Sequence, residues 1–136
     1  MIHEGTVEYL GMGAYNALAF DGDGNPAIAY TDRDDEVLRF ATPNSNGWDR
    51  TVVDSRNSGT GLDLAYGADG PAISYGRSQA RFAELQADSS WKLSVVDRRG
   101  ALGTALAFDA DGDPWVLFNQ PPRTANGPLL RVAPAQ

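Results

Sequence analysis

The residues most able to do chemistry are carboxylates, which recur in two similar acidic turns. The turns read Asp21-Gly-Asp-Gly-Asn25 and Asp109-Ala-Asp-Gly-Asp113, and oxygen ligands at alternate positions are what a hard cation such as Ca²⁺ needs. The helix-loop-helix calcium pattern requires Gly at its sixth position, where these turns have Pro26 and Pro114. We therefore predict hairpin turns that hold no metal, and no other cofactor, because Asp and Gly tolerate the backbone conformation of such turns.

A conventional catalytic set is not apparent in the sequence. His3 is the only histidine, and the chain has no cysteine to act as a nucleophile or a thiolate zinc ligand. Three carboxylates, Asp32, Asp34 and Asp63, would permit glycosidase- or lyase-type chemistry if the fold brought them together. This enzymatic interpretation stays open, although nothing in their spacing favours it.

Three sequence repeats must position any functional residues. The segment Asn16–Tyr30 returns as Leu62–Tyr75 and again as Thr104–Phe118. A second short element follows each copy, at residues 38–41, 80–83 and 130–133. The period of about 43 residues lies in the range of a four-stranded β-propeller blade.

Alternation of residue size places the strands and gives each blade two unlike faces. In the first repeat it predicts strands at about residues 16–21, 26–31, 37–42 and 48–54. Small and large residues alternate in Ala17-Leu18-Ala19-Phe20, and successive side chains of a strand point to opposite faces. We therefore expect an all-β fold of four-stranded antiparallel blades, in which the bulky face of one blade packs on the small face of the next.

The repeats predict three blades in one chain, with the third divided between the two ends of the sequence. Blade 1 covers residues 12–55, blade 2 residues 56–98 and blade 3 residues 99–136, while residues 1–11 form the outer strand that blade 3 lacks. Propellers have about four to eight blades. Two copies joined head to tail would give a six-bladed ring, a homodimer that exchanges this strand and leaves no open sheet edge.

The string Leu-Ala-Phe-Asp-x-Asp-Gly-x-Pro-x-Ile-x-Tyr, followed by Arg-Phe-Ala and then Trp-x₃-Val-Val-Asp, resembles the β-propeller repeats of bacterial sialidase-like and BNR-like proteins. The resemblance covers nearly the whole chain and implies the propeller fold. Propellers of this group include lectins, glycosidases, lyases and scaffolds. Their Asp-box lies between the third and fourth strands of a blade, whereas the Asp-Gly turns of this chain lie between the first and second. The resemblance therefore implies no catalytic residue.

One arginine recurs at the same place on the third strand of every repeat. Its three copies are Arg39, Arg81 and Arg131. Three arginines per chain could form an anion-binding ring, but we predict a structural role, in which they pair with acids such as Asp54 and Asp97 or pack their side-chain stems.

Asp63 and Trp115 are two of the residues that depart from the repeat. Asp63 takes an inner-strand position that Ala17 and Ala105 hold in the other copies. A carboxylate there needs a partner, water or a ligand, and a pair with Arg77 is one interpretation. Trp115 breaks the small-residue pattern and is expected to reshape one contact between blades.

The predicted binding site lies on the loops that follow the second and fourth strands, since these share one face of a propeller. Binding residues concentrate on loops that a rigid scaffold holds. The ligand-binding residues predicted there or near the channel are Tyr15, Tyr30, Asp32, Arg33, Asp63, Tyr75, Arg77, Gln79, Asn119 and Arg123.

These observations favour a non-enzymatic, lectin-like module that binds a carbohydrate or another small polar ligand. Two further interpretations are an enzyme that uses channel carboxylates and a structural or engineered repeat scaffold. The net charge of −7 disfavours nucleic acid as a partner. The sequence contains no apolar run of about 18 residues, so we predict no membrane-spanning segment. Because the first residues lack the features of a signal peptide, the chain is expected to be cytoplasmic, or secreted if a leader was removed.

Overall fold

A computed structural model of the protein describes residues 13–57, 59–120 and 129–134. All the regular structure in these ranges is β-strand, so the all-β prediction is confirmed. No helix within them is long and apolar enough to cross a lipid bilayer. The outer strand predicted within residues 1–11 lies outside the described residues.

Within the described residues, the strands form three antiparallel sheets, each made of strands that are consecutive in sequence. The first sheet contains β1 (Gly13–Phe20), β2 (Pro26–Asp32), β3 (Val37–Asn44) and β4 (Gly47–Asp54). The second contains β5 (Thr60–Gly67), β6 (Gly70–Gly76), β7 (Ala80–Leu85) and β8 (Trp91–Asp97). The third contains β9 (Gly103–Phe108), β10 (Pro114–Gln120) and β11 (Leu129–Pro134). The strands of the first sheet begin and end within three residues of the positions that the alternation predicts.

The acidic turns are hairpin connections, as predicted. Asp21 Oδ1 accepts hydrogen bonds from the backbone amides of Asp23 and Asn25 at 2.9 and 2.8 Å. The amide of Asn25 lowers the pKa of the Asp21 carboxyl below its ordinary value. Gly24 follows with φ of +83°, a conformation that an L side chain rarely adopts. Asp109 closes the corresponding turn of the third sheet in the same way.

Successive sheets pack through unlike faces. Between the first and second sheets, the buried Ala27 and Ala29 belong to one apolar cluster with Leu64 and Ile73. Between the second and third sheets, the corresponding cluster joins the small face of β6 to the bulky face of β9 and β10, at Ala72, Leu106, Val116 and Phe118. The alternation of small and bulky faces read from the sequence is therefore present at both interfaces.

The first strands of the second and third sheets approach each other very closely. A Cβ atom at Gly61 would lie 2.4 Å from the Cα of Gly103 and 2.8 Å from the carbonyl oxygen of Leu102. Gly61 also has φ of +52°. Thr104 Oγ1 donates a hydrogen bond to the Gly61 carbonyl oxygen at 2.7 Å, so this contact is polar as well as steric.

Gly61→Ala should lower the free energy of unfolding by about 2 kcal/mol or more, because the methyl group meets backbone and the positive φ strains an L residue. Urea denaturation followed by circular dichroism measures the change. Gly22→Ala is the matched control, since open space surrounds Gly22. Equal unfolding midpoints for the two variants would show that the sheets do not meet as described.

Candidate ligand-binding cleft

The loops after β2 and β6 lie on the same side of the sheets as the segments that precede the next sheet. Thr31 Oγ1, at the end of β2, donates a hydrogen bond to the carbonyl oxygen of Gly59 at 3.0 Å. The amide of Ala101 donates to the carbonyl oxygen of Arg77 at 3.3 Å. The loops that the sequence assigned to one face therefore do share a face.

A cleft of 690 Å³ opens on this face where the first and second sheets meet. Its larger and polar lining residues are Tyr15, Thr31, Arg33, Glu36, Thr60 and Arg77. Tyr15, Arg33 and Arg77 belong to the predicted site. The other three lie in or beside the loops that the sequence indicated, but no pattern in the sequence singles them out.

The cleft brings together two exposed arginines. Neither Arg33 nor Arg77 forms an ion pair with another residue in the described part of the chain. A guanidinium presents several N–H donors in a planar fork, which suits carboxylate, phosphate and hydroxyl acceptors. Glu36 adds an acceptor to the same cleft and has φ of +56°, which is uncommon for a residue other than glycine.

Arg39 on β3 stabilises the loop that carries Arg33 by bonding two of its carboxylates. Arg39 Nε donates to Asp32 Oδ2 at 2.7 Å, and its Nη2 pairs with Asp35. Asp32 Oδ1 accepts the amide of Asp34 at 3.0 Å. Burial opposes the charge on Asp32, but the bond from Arg39 brings the pKa of Asp32 below its ordinary value. Asp32 was predicted as a ligand contact, whereas in the structure its carboxylate bonds Arg39 and the Asp34 amide and stabilises the loop.

Arg81 plays the equivalent part for the loop that carries Arg77. Its Nη2 donates to Gln79 Oε1 at 2.8 Å, and the amide of Arg77 donates to the Gln79 carbonyl oxygen at 3.2 Å. The recurring arginine of the third strand therefore supports a cleft loop in both sheets. This is a structural role, as predicted. The side chain of Arg131 is not among those described.

Two of the predicted contacts, Tyr30 and Tyr75, are buried and do not line the cleft. The Tyr75 hydroxyl donates to Asp54 Oδ2 at 2.9 Å, which joins the second sheet to the end of β4 in the first. Burial and the Asp54 charge raise the pKa of Tyr75 above its ordinary value. Arg81 Nη1 lies 3.7 Å from the same carboxylate oxygen, so the predicted pairing of this arginine with Asp54 is present.

Tyr75→Phe should destabilise the protein by about 1.5–3 kcal/mol, because the buried Asp54 carboxylate loses a hydrogen bond. The phenylalanine side chain should fit at position 75, since Phe118 is buried at the same position of the third repeat. Denaturant unfolding measures the change, with Tyr66→Phe as the control, because the Tyr66 hydroxyl bonds to no described residue. An equal loss in both variants would contradict a tether between the sheets.

Asp63 joins two sheets and does not line the cleft. Its Oδ1 accepts the amide of Leu64 at 2.9 Å, and its Oδ2 accepts the amide of Leu106 on β9 at 2.8 Å. These bonds provide the partners that a half-buried carboxylate needs. Neither Asp32 nor Asp34 lines the cleft either, so the cleft contains none of the three carboxylates considered for catalysis.

The remaining predicted residues lie elsewhere. Asn119 is exposed beside Thr104 and Leu117, where it lines a smaller hollow of 190 Å³ on the third sheet. Arg123 falls outside the described residues. Within the described ranges, no group of three acidic or histidine side chains is placed to hold a metal ion.

Compared with protein-family models and with curated proteins, the sequence matches none. The observations define an all-β protein of successively packed antiparallel sheets with a polar cleft on its loop face. The resemblance to sialidase-like repeats stays a prediction.

Proposed function

We propose that the chain is a set of three β-propeller blades that binds a small polar ligand, most simply a carbohydrate, in the cleft between its first two blades. The observation that carries this proposal is the pair of exposed arginines, Arg33 and Arg77, on loops that structural arginines brace. A second copy of the chain would complete a six-bladed ring.

The composition of the cleft suits a sugar. Saccharide hydroxyl groups both donate and accept hydrogen bonds, and the cleft offers guanidinium donors beside the Glu36 carboxylate. Tyr15 is an exposed aromatic side chain in the same cleft, and an aromatic ring can cover the apolar face of a sugar. Small-molecule sites generally combine such a surface with a few placed polar groups.

The geometry of the sheets supports the propeller interpretation. Each complete sheet has four antiparallel strands in sequence order, and the second and third sheets meet through their first strands. Asp63 and Thr104 add hydrogen bonds between β5 and β9 at that inner edge. Blades that radiate from a common axis make their closest contacts in this way.

Binding is proposed in preference to catalysis because two of the candidate carboxylates already have structural partners. Asp32 is bonded to Arg39, and Asp63 is bonded to two backbone amides. A glycosidase- or lyase-type enzyme would need a pair of carboxyl groups facing a substrate. A purely structural scaffold would bind no ligand, so the next experiment separates it from a binding module.

An array of neutral and acidic glycans should show binding, and titration calorimetry with the strongest glycan should give a measurable Kd. Arg33→Ala and Arg77→Ala should each weaken that Kd by about tenfold, because each removes charge-assisted hydrogen bonds. Lys92→Ala is the matched control, since Lys92 is an exposed cation on β8 that pairs with Glu84 and does not line the cleft. No binding to any glycan at high protein concentration would contradict the proposal.

The ring predicts a particle of twice the chain mass of 14.5 kDa at micromolar concentration. Sedimentation equilibrium measures this mass without reference to shape. A stable particle of one chain mass would contradict the ring and leave the intrachain cleft to be judged by the glycan experiment.

A further inference from the structure

We infer that the apolar face of the first blade docks head to tail on the apolar face of the third blade of a second copy, with Trp115 as the anchor of this junction. The inference rests on the proposed ring. It adds the two surfaces that join and the residue that anchors their contact. We call these surfaces the Leu18 face (Leu18, Phe20 and Ile28) and the Trp115 face (Ala105, Ala107, Trp115 and Leu117).

The Leu18 face exposes apolar side chains that the other repeats bury. Leu18 is 60% exposed, whereas Leu64 and Leu106 at the same repeat position are 4% and 8% exposed. Phe20 is 59% exposed. Phe108, at the same repeat position, packs closely over Gly67, so that a Cβ atom at Gly67 would lie 2.6 Å from the Phe108 ring. The first sheet therefore presents a bulky face of the kind that the second and third sheets insert into a neighbour.

The Trp115 face is the small face of the third sheet, altered by two large residues. Ala27 and Ala72 are 0% and 2% exposed at the repeat position where Trp115 is 40% exposed. Leu117 is 38% exposed where Ala29 is fully buried. Antiparallel pairing puts Trp115 opposite Ala107 and Leu117 opposite Ala105, so all four residues share one surface.

A second copy is the occupant that continues the established interfaces. Both intrachain interfaces place the bulky face of the later sheet on the small face of the earlier one. The same packing, continued to a second copy, places the Leu18 face of one chain on the Trp115 face of the other. Each chain carries the Leu18 face on its first sheet and the Trp115 face on its third. Contacts between unlike surfaces of identical copies are heterologous, and they close into a ring when the rotation allows.

Trp115 distinguishes this junction from the two internal interfaces. Its indole N–H donates to Asp109 Oδ2 at 2.8 Å, which orients the ring on the surface. Asp109 is itself held by the amides of Asp111 and Asp113. A large aromatic side chain with its orientation set in this way is the residue type that contributes most to protein interfaces.

The test uses two charge variants of the full chain and their mixture. Leu18→Asp spoils the Leu18 face, Trp115→Asp spoils the Trp115 face, and each alone should weaken self-association about 30-fold or more in sedimentation experiments. Mixed in equal amounts, the two should form a 1:1 dimer, in which the intact Leu18 face of the Trp115→Asp chain packs on the intact Trp115 face of the Leu18→Asp chain. Leu93→Asp is the matched control, because Leu93 is 40% exposed on the middle blade, and it should associate like the unchanged chain.

Several results would overturn the junction. If only one variant lost association, the dimer would join two copies of the same face. If neither variant lost association, the dimer contact would lie outside both faces. Failure of the mixture to dimerise would also overturn it, provided that circular dichroism shows both variants folded. If either were unfolded, the same mixing test would be run with Leu18→Ser and Trp115→Ala. Glycan binding separates the two proposals, because the cleft lies within one chain and should keep its Kd in folded junction variants.

Discussion

The fit of a bulky sheet face against a small one is the constraint on which the rest of this structure depends. Ala27 and Ala29 leave room for Leu64 and Ile73 of the next sheet, and the resulting cluster is buried on both sides. At the next interface, Ala72 of the second sheet leaves room for Leu106 and Val116 of the third, and these two sheets come close enough for glycine to be required at Gly61. The spacing of the sheets then sets the distance between their loops, and with it the width of the cleft.

Within that frame, one recurring side chain adapts to different loops. Arg39 bonds carboxylates of its loop, whereas Arg81 bonds the Gln79 amide oxygen and lies near the Asp54 carboxylate of the neighbouring sheet. A guanidinium has five N–H donors, so the same arginine position can serve different acceptors in different sheets. The loops are therefore able to differ in sequence and length while the repeat that supports them stays the same.

The strands and their faces could be predicted because the signal is local: alternation shows within six to eight residues which side chains share a face. The site could be predicted only in part, since the fate of a polar residue depends on another sheet. Tyr75 finds its acceptor in Asp54, which is 21 residues earlier, and Asp63 finds the amide of Leu106, which is 43 residues later. Arg33, in contrast, is exposed on the loop after β2 and forms no ion pair among the described residues.

The cleft and the two apolar faces occupy different parts of the molecule, and this separation has a consequence for the proposed ring. Every lining residue in the described part of the chain comes from the first two sheets or the loops between their strands, so each copy would contribute a whole site. A two-fold ring would then carry two sites on one rim at a fixed separation, and a ligand with two matching groups would gain affinity from the second contact being intramolecular. Assembly would therefore add valency to a site that each chain already contains.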